Sequence, residues 1–108
     1  MAFDFTAVFK HAVEAGLNAA KPGGKLAQDW LQESAAANQK TLKAIALGML
    51  TQQISNETGA MLLAETRRAL ESEAAALKAI VKAAAQAAVN AFFKSLTDAL
   101  SSALKIAL

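Results

Sequence analysis

From Ala60 to Leu108 the chain contains neither proline nor glycine, the two residues that most readily end a helix. Run as one helix, this stretch would be about 74 Å long at a rise of ~1.5 Å per residue, against a radius of gyration of about 13 Å for a compact domain of this size. Such a rod either projects into an oligomeric coiled coil or divides.

Helical phase favours division. With Lys78 at zero and about 100° per residue, Lys78, Lys82 and Gln86 fall at roughly 0° to 80°, opposite Leu77, Ile80 and Val81 at roughly 200° to 300°. Beyond Asn90 the sides exchange. Lys94, Asp98, Ser101, Ser102 and Lys105 occupy roughly 140° to 240°, and Phe93, Leu96, Leu100 and Leu104 roughly 0° to 80°. One flat partner surface cannot follow that inversion, which predicts a long helix over about 58–89, a kink or break near 89–93 and a terminal amphipathic helix over about 93–108. A competing geometry fits the recurrence of Lys78, Lys82, Gln86, Asn90, Lys94 and Asp98 at every fourth position: a continuous helix whose face drifts by about 40° per step and wraps a partner right-handedly.

The first half of the chain has clearer punctuation. Phe5, Val8, Phe9, Ala12, Val13 and Leu17 recur at steps of three and four, with Asp4 or Thr6 available as a cap, which predicts a helix over about 5–20. Lys21-Pro22-Gly23-Gly24 ends it, because proline cannot continue a helix and glycine relaxes the backbone. A second helix over about 26–51 carries Leu31, Ala35, Asn38, Leu42, Ile45, Met49 and Gln52 in heptad spacing, a seam weakened where Ala35 and Asn38 stand. The apolar period then lapses over about 52–57, where Ser55 or Asn56 can cap the next helix and Glu57 meets the positive end of its dipole. Strand patterns are absent. The fold class is therefore all-α: one domain, a small bundle of three to four helices built around a long helical hairpin and completed by oligomerisation.

Composition explains why company is expected. About a quarter of the residues are alanine, and transfer free energy scales with apolar area at about 25 cal/mol per Å², so the few large groups must anchor the core. The residues that would carry contacts with a second copy or another helical protein are Leu42, Ile45, Met49, Leu63, Leu70, Leu77, Val81, Phe92, Phe93, Leu96, Leu100 and Leu104. The alternative partner is a membrane surface, met by residues 74–108, where Lys78, Lys82, Lys94 and Lys105 face only Asp98, a net +3. Four lysines spread that widely fall short of the dense basic patch of a nucleic-acid binder, so nucleic acid is not an expected partner.

Chemistry finds little purchase. His11 is the only histidine and cysteine is absent, so neither a metal site nor a hydrolase triad has a visible frame. Asp29 and Glu33 share a helix face at i, i+4 but read as solvated, and Gly23-Gly24-Lys25 lacks the earlier glycine and preceding strand of a phosphate loop. Glu65 with Arg68 and Arg67 with Glu71 have the spacing of helix ion pairs. No cofactor, no small-molecule substrate and no enzymatic activity are expected. MAFDFTAVFK lacks the basic-then-apolar order of a signal peptide and no uncharged apolar run reaches the ~18 residues of a spanning helix, which makes a cytoplasmic location the expectation, with peripheral membrane association as its variant.

Overall fold

The computed structural model describes residues 3–106 and 108. They form four α-helices: α1 (Phe5–Ala20), α2 (Gly24–Leu50), α3 (Asn56–Ala75) and α4 (Ala79–Leu104), with a single 3-10 turn at Lys21–Gly23. The Asp4 carboxylate accepts a hydrogen bond from the Ala7 amide at 3.2 Å and so caps α1. Pro22 opens the 3-10 turn, and Gly24 follows at φ +73°, a conformation that reverses the chain and that a Cβ disfavours.

The α2–α3 turn closes by backbone bonds. Gln53 and Ile54 both donate to the Gly48 carbonyl, at 2.9 and 3.1 Å, while Gln52 takes a left-handed conformation outside the helix. Ser55 then caps α3 by accepting from the Thr58 amide at 3.1 Å, with Glu57 in the first turn. Short turns fold successive helices antiparallel, giving an up-down-up-down bundle of 41 × 23 × 22 Å with a radius of gyration of 13.7 Å.

The helices are not equivalent. α4 packs on all three others and most extensively on α1, α2 also meets every other helix, and among the described residues α1 and α3 do not touch. The core is therefore built on the diagonal pair α2 and α4. Its aromatic centre runs from Phe5 to Phe9, at 5.7 Å between ring centroids, then edge-on to Phe92 at 5.8 Å and edge-on again to Phe93 at 5.1 Å.

The break in the second half lies at residues 76–78, not near 89–93. Ala76 and Leu77 donate to Glu73 and Ala74 in a tightened last turn of α3, and Lys78 is extended at φ −58° and ψ 147°. α4 then runs unbroken through Asn90 and ends at Leu104, where Lys105 adopts a left-handed cap. The inversion dissolves because Ile80 is exposed and Leu77 belongs to the break, so neither marks the buried face of α4. That face is Val81, Ala84, Ala85, Ala88, Val89, Phe92, Phe93, Leu96 and Leu100. Its track Ala84, Ala88, Phe92, Leu96 and Leu100 advances about 40° at each of four steps, roughly 160° in all, the drift expected of a four-residue recurrence on a helix of 3.6 residues per turn. Lys82, Gln86, Asn90, Lys94 and Asp98 follow it around the exposed side.

A continuous α4 makes a measurable demand. Ala91→Pro removes a helical hydrogen bond and is expected to cost about 3 kcal/mol or more in urea unfolding. A chain that accepts this proline without loss of stability would place a break at 89–93 after all.

Candidate interaction surface

The twelve residues singled out as contact positions do come together, but inside one chain. Leu42, Ile45, Met49, Leu63, Leu70, Val81, Phe92, Phe93, Leu96 and Leu100 are buried in the core, and Leu77 and Leu104 pack partly buried against it. The heptad positions of α2 behave alike: Leu31, Ala35, Leu42, Ile45 and Met49 are buried, Gln52 is exposed beyond the helix end, and Asn38 is half-buried with its amide donating to the Ser34 carbonyl of its own helix at 2.8 Å. The buried side chains among these offer no free face to a second molecule. Residues 92–104 likewise turn their large apolar groups inward, so the predicted amphipathic C-terminal surface is largely consumed by α1, α2 and α3.

The charged groups remain outside. His11 is exposed, and Asp29, also exposed, pairs with Lys25 at 3.6 Å while Glu33 lies in solvent. Among the described residues no three His, Asp or Glu side chains gather where they could hold a metal ion. Arg67 pairs with Glu71 at 3.5 Å as the spacing predicts, and its guanidinium also donates to the Asn90 side chain across the α3–α4 interface. Arg68 instead donates to the Ala64 carbonyl at 3.3 Å. Lys94 and Asp98 form a further pair at 3.3 Å along α4. Exposed i, i+4 pairs of this kind contribute only about 0.3–0.5 kcal/mol each, so they decorate the bundle rather than hold it. An open groove of about 220 Å³ between α3 and α4 is lined by Leu63, Arg67, Phe93, Thr97 and Leu108 among others, with Arg67 the one charged side chain among its described lining residues.

What the bundle leaves uncovered is a different set of apolar side chains. Ile80 is 82% exposed, Leu26 70% and Met61 55%, and Leu47, Ile106 and Leu108 are also exposed. They fall at the two ends of the bundle. Leu26 and Ile80 stand at the end formed by the 3-10 turn and the 76–78 break, and Leu47, Met61, Ile106 and Leu108 near the end that holds the α2–α3 turn and the C-terminus of α4. Leu26, Leu47, Met61, Ile80, Ile106 and Leu108 were all absent from the predicted contact set. A signal existed for two of them: Leu26 lies one residue off the buried track Ala27, Leu31, Ala35, and Ile80 one residue off Val81, Ala85, Val89, Phe93.

No protein-family model matches the chain, no curated protein matches its sequence, and no solved structure matches it. No described helix is long and apolar enough to cross a membrane.

Core and surface separate in a paired substitution. Phe92→Ala is expected to lower stability by about 3–5 kcal/mol, whereas Met61→Ser should stay within about 0.5 kcal/mol, both read from denaturant midpoints. Equal losses would erase the distinction between the two sets.

Proposed function

We propose that this protein is a noncatalytic helical interaction or assembly protein that associates with a second copy of itself through apolar side chains outside its closed core. The observation that carries the reading is the pair Leu47 and Met61. Met49 of α2 lies directly against Gly59 of α3, and two residues further from the turn, about 200° around each helix from that contact, Leu47 and Met61 are both exposed on the outer sides of α2 and α3. On the other flank of α3, Leu108 joins Ala60 and Ala64 in the α3–α4 groove. The end of the bundle that holds the α2–α3 turn thus leaves apolar groups that one chain does not cover.

A second copy suits this face. A two-fold pairing sets the same end of the bundle against itself, and Lys43, one turn from Leu47, and Glu65, one turn from Met61, are both exposed and give that end one charge of each sign to match. The Ala/Leu-rich faces first expected to mediate self-association support the reading differently, by making a core that stands alone and lets α3 present its outer side. Contact through four to six side chains implies a weak, concentration-dependent dimer rather than an obligate one.

Sedimentation velocity over a wide concentration range tests this. The native chain should rise in mass with concentration, and the double variant Leu47→Ser, Met61→Ser should remain monomeric with an unchanged melting temperature. A native chain that stays a compact monomer near millimolar concentration would overturn the proposal.

A further inference from the structure

Ile80 and Leu26, the two most exposed large apolar side chains among the described residues, are far apart in sequence and share the opposite end of the bundle from Met61. That end joins the 3-10 turn and the start of α2 to the end of α3, the 76–78 break and the start of α4. The junction is tight. A Cβ placed on Gly23 would lie 2.6 Å from the Ala84 Cβ and 2.7 Å from the Ala27 Cβ, which sets the Leu26 turn of α2 beside the Ile80 turn of α4.

The same end is basic. Lys21, Lys25, Lys78 and Lys82 are all exposed there, two from each hairpin, and neither α2 nor α4 has an acidic residue in its first turn. Against them stand Asp29, one turn deeper and loosely paired with Lys25, and Glu73; Glu71 is engaged by Arg67. The far end carries Asp4 and Glu57 with Lys105, so the molecule is polarised along its long axis.

We propose that this end docks on an anionic lipid surface, with Leu26 and Ile80 entering the headgroup boundary and the four lysines meeting lipid phosphates and carboxylates. Exposed apolar side chains that share an end of the bundle with lysines suit such a surface because one layer of lipid supplies both partners, acyl chain below and anion above. A second copy does not fit, since facing ends would bring two sets of lysines together against only Asp29 and Glu73. A nucleic acid does not fit either, because a phosphodiester backbone has no apolar layer to receive Leu26 and Ile80. The proposal concerns residues 21–26 with 78–82, not the C-terminal stretch whose apolar face is buried, and it is independent of self-association at the other end.

Cosedimentation with vesicles of phosphatidylcholine alone, or with phosphatidylserine added, tests it at low and at physiological salt. The full chain should bind the phosphatidylserine vesicles, bind neutral ones far more weakly, and lose affinity as salt rises. Replacing an exposed lysine should weaken binding about fivefold, so Lys78→Gln with Lys82→Gln should lose roughly 25-fold, and Leu26→Ser with Ile80→Ser at least about tenfold. Lys40→Gln with Lys43→Gln, on the body of α2, should leave binding within about twofold. All variants are at exposed positions and should keep the native helical circular dichroism. No cosedimentation at low salt, an equal loss in the Lys40, Lys43 variant, or tighter binding to a duplex oligonucleotide than to the vesicles would each overturn the proposal.

Discussion

Close approach between small residues at one end of the bundle sets the geometry of everything else. Along α4 the buried side chains grade from Val81, Ala84, Ala85 and Ala88 to Phe92, Phe93, Leu96 and Leu100, and along α1 they grade from Ala20, Gly16 and Ala12 to Phe9 and Phe5. The two helices are antiparallel, so small meets small and large meets large. α2 does not repeat the gradient: it buries Ala27 and Leu31 near the tight end and Leu42, Ile45, Ala46, Gly48 and Met49 at the wide one. Alanine buries little area, but it lets backbones come together, and the phenylalanines and leucines then fill the space where the helices separate. Leu26 and Ile80 lie one residue off the buried tracks at that end, and both are left outside.

That gradient also accounts for how α4 serves three neighbours without a kink. A helix that packs against one partner needs a narrow stripe; one enclosed by three needs a broad face. Val81 to Leu100 supplies it through adjacent pairs, 84 with 85, 88 with 89 and 92 with 93, whose drift carries the face from one neighbour to the next. The outward track of Lys82, Gln86, Asn90 and Lys94 drifts in step, and the cross-helix bond from Arg67 to Asn90 falls on the edge that meets α3.

Much of this was legible in the sequence where local chemistry dictates the backbone. Pro22 and the following glycines marked the first turn, Asp4 and Ser55 marked caps that the structure uses, and the lapse after Thr51 marked the second turn. The third turn was not legible, because Ala74-Ala75-Ala76-Leu77-Lys78 is made wholly of good helix formers. It exists because the stripe from Val81 onward gains more by folding back on α1 and α2 than the backbone loses by opening one turn. Counting Leu77 and Ile80 as core while discounting alanine placed the apolar face of α4 wrongly, and the inferred inversion followed. The contact residues met a related limit. A stripe at helical spacing says that a face is covered and not by what, and the residues expected to meet a second chain found partners in their own.

The distribution of burial makes α3 the helix with most to gain from further contact. It is held by Gly59, Leu63, Leu70 and Ala74, touches only α2 and α4 among the described helices, and brings no aromatic side chain to the core. Local stability follows buried apolar area, so α3 sits at the low end of the molecule's range while α1, tied through Phe5 and Phe9 to Phe92, is far better anchored. A second copy seated on Met61 would cover the helix that the chain itself covers least, and mass action would then favour the bundle in which α3 is docked. The opposite end follows another logic. Tight packing there fixes Leu26 and Ile80 on rigid helical turns, so a surface that receives them finds both already placed and little ordering remains to oppose binding.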